Sequence, residues 1–197
     1  ARIFPLETGG RIFSDAKGAL ENTGLQTDVA MLNGSYLFIQ PKDGDQALSR
    51  RGDLGVDAEN KLVDGAGNAV LSAELEPIIL PPFSAIKFSD NGEILVRKPG
   101  SLSGEFTSMG FLASTSARPD ELSKGLDGRI RKLDGSVPPP DQSGQYAQGV
   151  LEGSNVNAIE EMVFNMDMQR QFEINVKLIK KAEELDKAGT RLMSLPT

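Results

Sequence analysis

Ser154-Asn155-Val156-Asn157-Ala158-Ile159-Glu160-Glu161-Met162-Val163 opens a run, ending near Leu195, that decides how the rest of the chain is read. From Ala158 to Leu195 there is no Pro, and Gly189 is the only Gly. Neither the missing N–H of proline nor the freedom of repeated glycine interrupts it. The run from Ala158 to Met193 predicts one helix, about 55 Å long at 1.5 Å per residue. Asn157 is the expected N-cap, with Glu160 at the capping-box position. Glu160 and Glu161 suit the positive end of the helix dipole; Lys177, Lys180, Lys181, Lys187 and Arg191 suit the other end. Pairs such as Glu173–Lys177 and Lys177–Lys181 mix attraction with repulsion, so charge pairing alone does not stabilise the helix.

The apolar residues of this helix do not form one narrow stripe. Ile159, Met162, Val163 and Met166 follow the spacing of a buried face. Phe172, Ile174, Val176, Leu178 and Ile179 spread round much of the circumference. A helix apolar nearly all round is enclosed by protein. Either the chain's own core covers it or other chains do. An intrachain core accounts for Ile159 to Met166 as well as an intermolecular one, but accounts poorly for Phe172 to Ile179.

Outside the helix, composition sets limits. The chain has 197 residues, 28 acidic against 21 basic, and a net charge of −7. With a pI near 4.8, sequence-independent binding to nucleic-acid phosphates is not expected. No apolar run approaches the roughly eighteen residues of a membrane span, so no membrane insertion is expected. Cys and His are both absent. Disulfides, thiolate or imidazole metal sites and Ser-His or Cys-His catalysis are thereby removed. No cofactor, metal site or catalytic residue is read from the sequence, and the chain is read as not an enzyme. Composition leaves one catalytic alternative, a paired-carboxylate hydrolase. The chain starts at Ala1 rather than Met, within a polar stretch, so a further N-terminal segment, lost by processing or left out of this sequence, is expected.

Residues 28–114 read as an antiparallel β domain, a sandwich or barrel-like unit, from turns at intervals of roughly eight to twelve residues. Tyr36-Leu37-Phe38-Ile39 is a strand stopped by Pro41 and turned at Asp43-Gly44. Leu62-Val63, Ala69-Val70-Leu71 and Ile78-Ile79-Leu80 follow, the last ending at Pro81-Pro82. Ala85-Ile86-Lys87-Phe88 and Ile94-Leu95-Val96 flank Asp90-Asn91-Gly92, which predicts a hairpin with a two-residue type I′ turn. Phe106 to Leu112 is one more strand, interrupted at Gly110. Residues 1–27 read as an extended lead-in with room for one hairpin. Residues 115–153, polar and carrying Pro138-Pro139-Pro140, read as a connection returning to the helical region at 154–197. The fold class expected is mainly β with one long C-terminal α-helix.

Val150-Leu151-Glu152-Gly153-Ser154-Asn155-Val156-Asn157-Ala158-Ile159-Glu160-Glu161-Met162, followed by Gln169-Arg170-Gln171-Phe172-Glu173, resembles the C-terminal signature of bacterial flagellar rod and hook axial proteins. There "SNVN…E-M…QR-F-E" opens the terminal helix. Asp28-Val29-Ala30 before Asn33-Gly34, with Tyr36 to Gln40, resembles the family's "LDVAI-G-G-F-V" segment. Ser49-Arg50-Arg51-Gly52-Asp53-Leu54, Asp57, Lys61-Leu62-Val63, Gly67 and Val70-Leu71 resemble its "TR-G-F…D-G-LV…G-VL" run. The likeness covers roughly residues 24 to 100 and 149 to 195. Residues 1 to 23 have no counterpart to the family's N-terminal "ANN-AN-TPG" segment. Leu151-Glu152-Gly153 and the ending Arg191-Leu192-Met193-Ser194-Leu195 are most similar to a proximal rod subunit.

The resemblance implies a structural subunit of the flagellar basal-body rod that polymerises helically to transmit torque, isolated subunits being monomeric. Partners would be copies of itself, other proximal and distal rod proteins and the flagellar export apparatus; the location would be the rod crossing the periplasm. A hook-type or distal-rod subunit is the alternative within the family. A carboxylate-dependent peptidoglycan-acting module is the alternative from another class. The expected subunit interface is Ile159, Met162, Val163, Met166, Gln169, Phe172, Val176 and Ile179, with Arg170 and Glu173 setting register. Two other motifs are read as structural. Arg51-Gly52-Asp53 falls where the family has a turn, and Asp57, Glu59 and Asp64 lack calcium-loop spacing.

Overall fold

The computed structural model describes residues 17–100, 104–125, 127–155 and 158–193. The chain divides into two compact units, Ala1–Asn155 and Val156–Thr197. Among the described residues the first unit carries β1 (Leu20–Asn22), β2 (Val29–Met31), β3 (Tyr36–Gln40), β4 (Ala47–Ser49), β5 (Leu54–Val56), β6 (Leu62–Asp64), β7 (Ala69–Val70), β8 (Ala85–Phe88), β9 (Glu93–Arg97), β10 (Thr107–Phe111) and β11 (Ser114–Thr115). A 3-10 turn (Pro119–Glu121) then leads to β12 (Leu122–Lys124), β13 (Ile130–Lys132), β14 (Tyr146–Gln148) and β15 (Val150–Glu152). The described part of the second unit is one helix, α1 (Ala158–Met193). The fold is mainly antiparallel β with a C-terminal helix, as the residue pattern implies.

The centre of the β unit is β3. It pairs with β4, β7 and β11 in a sheet ordered β12-β13-β4-β3-β7-β6-β5. Tyr36, Leu37, Phe38 and Ile39 are all buried. Successive side chains of a strand point to opposite faces, so an unbroken apolar run requires cover on both sides. Leu37 packs in a cluster with Val29, Leu62, Ile86, Phe88, Ile94 and Leu112. Tyr36 and Phe38 pack on the other face with Leu48, Leu71, Leu122 and Ile130. The unit therefore has two apolar cores with β3 between them.

β8 and β9 form the expected hairpin, Phe88 opposite Ile94. Its turn is not the expected type I′. Gly92 alone has positive φ (81°) in the loop, Asn91 does not, and a type I′ turn needs both. Gly92 N–H donates to Ser89 O, and Ser89 N–H to Glu93 O, both at 2.9 Å. That is a three-residue loop closed by a bulge. Tertiary hydrogen bonds select it: Tyr146 N–H donates to Asp90 O and Leu112 N–H to Gly92 O. Gly92 also faces the Tyr146 ring, where an added Cβ would sit 2.6 Å from Cε2.

Two further expectations differ from the structure. Ile78-Ile79-Leu80 forms no strand, only isolated bridges Lys61↔Ile79 and Leu71↔Pro77 beside it. Pro77, Pro81 and Pro82 lack the N–H that a ladder needs. Residues 115–153, expected as a bare connection, carry four strands: β12 and β13 extend the large sheet, β14 pairs with β2, and β15 with β1. β10 does show the interruption expected at Gly110, its register against β9 slipping between Ser108 and Phe111. The lead-in up to residue 16, the cap Asn157 and the ending from Ser194 lie outside the described residues.

The outer edge of β8 is closed by side chains rather than by a strand. Gln148 Nε2 donates to Ile86 O at 3.0 Å, its Oε1 accepts from Phe88 N–H at 3.4 Å, and Gln26 Oε1 accepts from Ile86 N–H at 3.3 Å.

Asp141 ties the approach to β14 back to β11. Its carboxylate accepts from the N–H and Oγ of both Ser116 and Ser143 at 2.6 to 3.0 Å. Desolvation pushes its pKa up, but the Ser143 and Ser116 hydrogen bonds outweigh this and bring it down from 3.8 to about 2. A carboxyl lowered in the folded chain stabilises above its unfolded value and loses that contribution as pH falls. Stability should drop between about pH 4 and pH 2, and Asp141→Asn should flatten that part of the profile. Urea denaturation at pH 7, 4 and 2.5 checks this; parallel profiles for the two proteins would refute it.

Candidate assembly surface

The helix forms because nothing in it interrupts the backbone ladder, and acids Glu160 and Glu161 occupy its first turn. What it lacks is a core. Ile159, Met162, Val163, Phe164, Met166, Met168, Phe172, Ile174, Leu178, Ile179 and Leu185 are all exposed, and Val176 is half-buried. Burial of such a side chain is worth about 1.5–3 kcal/mol, so their exposure leaves a large unused driving force.

On a helix of about 3.6 residues per turn, the ten expected interface residues do not share one face. Ile159, Val163, Met166 and Arg170 lie on one side, with Met162 and Glu173 beside them. Gln169 and Val176 come next round the helix, and Phe172 and Ile179 lie nearly opposite Ile159. The set winds round more than half the circumference.

Phe164, Met168, Ile174, Leu178 and Leu185 fill the remaining arc, and the expected interface left them out. Phe164, Gln171, Leu178 and Leu185 recur at seven-residue spacing, with Ile174 alongside. That is the signal of a second packing seam; following the 3-4 spacing from Ile159 passes it by. Lys181 and Glu184 make an ion pair at 3.2 Å, which, being exposed, contributes little.

The β unit holds a cavity of about 450 Å³ lined by Arg50, Arg51, Lys124 and Arg129 together with Asp64 and Asp127. It bears on the hydrolase alternative. A general acid needs a carboxyl whose pKa is raised. Here Asp127 accepts from Arg131 at 2.9 Å, and that hydrogen bond, against some desolvation, holds its carboxyl below the usual value. Asp64 Oδ1 accepts from the N–H groups of Ala66 and Asn68, and Asn68 Nδ2 donates to both its oxygens. Next to the cavity, Arg51 binds Asp53 through two nitrogens at 2.7 and 2.9 Å and lowers its pKa. The Arg51-Gly52-Asp53 tripeptide is thus closed on itself. These carboxylates are set as acceptors, with arginine and backbone N–H groups facing them.

A sheet unit folded round its own cores, followed by a 36-residue helix whose apolar side chains stand exposed, defines a class of protein with one self-sufficient part and one that has no core of its own. The family pattern described as flagellar basal body rod FlgEFG protein C-terminal matches residues 147–192, which hold β15 and nearly all of α1. The flagellar basal-body rod protein FlgF of Salmonella typhimurium is 30% identical over 184 residues, covering 90% of this chain and 72% of the relative. FlgF of Escherichia coli is 29% identical over the same coverage. FlgG of Borreliella burgdorferi is 33% identical over 186 residues, 89% of this chain and 67% of the relative. The chain belongs to the flagellar basal-body rod protein family.

Proposed function

We propose that the chain is a structural subunit of the flagellar basal-body rod, most similar to FlgF-type subunits, whose helix α1 enters a helical polymer that transmits torque. The observation that carries this is the exposed apolar girdle of α1, within the stretch that the family pattern matches. The ten expected residues, Ile159 to Ile179, together with Phe164, Ile174, Leu178 and Leu185, form the contact surface. A helix inside a tube wall meets neighbours on several sides, which is what apolar side chains on all sides would serve. Partners are copies of this chain and adjoining rod proteins, with the export apparatus delivering the subunit and the rod crossing the periplasm. The functional division sets the β unit, with the strands of 115–153 part of its sheets, apart from the axial helix 154–197.

A second reading within the family, a subunit with the place held by FlgG, is supported by the 33% identity to the Borreliella burgdorferi protein. The absence of Cys makes one experiment suitable for both. Ile179→Cys or Leu185→Cys, labelled with a maleimide–benzophenone and irradiated in intact basal bodies, should cross-link to rod subunits, and the partner's identity places this subunit in the rod. Leu133→Cys, equally exposed but on the β unit, is the control. Failure of both helix positions to cross-link would defeat the reading.

A further inference from the structure

Glu152 is the last residue of the β structure before the helix. A pull on residues 158–193 reaches the sheets along the backbone of 153–157 and arrives at β15. Among the described residues the only strand hydrogen-bonded to β15 is β1, three residues against three, and this ribbon joins no other sheet. β1 is exposed throughout, and an isolated two-stranded ribbon is marginal in water. Gly149, between β14 and β15, anchors the near end of the ribbon, its N–H donating to Asp28 O at 2.7 Å; the end that meets the helix needs a further tie.

Glu152 supplies that tie. Arg50 Nη2 donates to its two carboxylate oxygens at 2.6 and 2.5 Å, and Gly18 N–H donates to Oε1 at 3.0 Å. The Arg50 and Glu152 side chains are only 16% and 10% exposed. Arg50 follows directly on β4, and its guanidinium carbon lies 5.9 Å from the ring centre of Tyr36 on β3. The pair thus links the ribbon to the central strands of the large sheet across 102 residues of sequence. Beside it Gly52 admits a close approach: an added Cβ would stand 1.7 Å from Val29 O and 3.6 Å from Leu151 Cδ2.

We propose that Arg50–Glu152 is a mechanical clasp, holding the ribbon that feeds the helix to the large sheet so that load entering along the helix is borne by the double core. This rests on the rod-subunit reading. Arg50 and Glu152 are positioning residues and lie outside the contact surface. In the purified full chain, Glu152→Gln or Arg50→Gln should speed amide exchange at residues 20–22 and 150–152 at least tenfold, with β3 and β4 unchanged. The double variant should be no faster than either single one, because both singles break the same contact. Should a single variant unfold through its unpaired buried charge, the double variant against wild type carries the comparison.

In cells, Glu152→Gln should still build rods but swim at half the wild-type speed or less in viscous medium. Unchanged exchange in the ribbon, or additive effects in the double variant, overturns the clasp. Faster exchange with normal swimming under load overturns its mechanical role. A strain deleted for the chain that swims normally would defeat the rod reading while leaving the exchange result standing.

Discussion

Phe172→Asp or Ile179→Asp should abolish swimming and leave the β unit as stable as in the wild type. Both side chains are largely exposed, at 70% and 62%, so the substitutions remove no intrachain core. Exposed positions of this kind change stability by about 0.5 kcal/mol or less. In an assembled rod the same positions would be enclosed. A carboxylate without a partner there costs several kcal/mol after relaxation, and the cost recurs at every subunit of the polymer. Motility plates and electron microscopy of basal bodies read the first effect, and urea denaturation of the purified protein reads the second. Normal swimming by both variants would remove this side of α1 from the contact surface.

Phe38→Ala should have the opposite profile, with the loss appearing already in the isolated protein. Phe38 is fully buried in the cluster with Leu48, Leu71 and Leu122, and truncation of such a side chain costs about 3–5 kcal/mol. A domain has only about 5–15 kcal/mol in total, so the urea midpoint should fall by about a fifth or more. Phe111→Ala, on an exposed side chain of β10, should move it far less. Equal midpoints for the two variants would contradict the double-core description.

Much of this architecture is legible in the residues because it rests on patterns with a single physical reading. The run Tyr36 to Ile39 announces a strand covered on both faces, and the stretch without Pro from Ala158 announces the helix. The strands missed at 115–153 are each three residues long, and two of them are mostly polar. Leu122 and Ile130 each head a three-residue strand whose other members are polar, so alternation has no length in which to appear. Ile78 to Leu80 misleads in the other direction: its side chains favour a strand, while the prolines around it withhold the donors. Asn91-Gly92 fixes the position of a hairpin but not its loop, because Asp90 and Gly92 carbonyls are claimed from elsewhere in the chain. On the helix, the expected surface follows the first stripe and stops at Ile179, since one period read outward from Ile159 hides a second running through Phe164, Leu178 and Leu185. The Arg50–Glu152 pair is not readable at all from spacing, its two members lying 102 residues apart.

The glutamines along β8 bear on a different matter, the wrong kind of fibre. A protein made to associate in many copies faces a choice between the ordered contacts of its helix and the indiscriminate stacking open to any bare strand. An incoming strand at β8 would need Ile86 N–H, Ile86 O and Phe88 N–H, and the amides of Gln26 and Gln148 already occupy all three. Two neutral side chains thereby keep one route to amyloid-like growth shut at no cost to the helix.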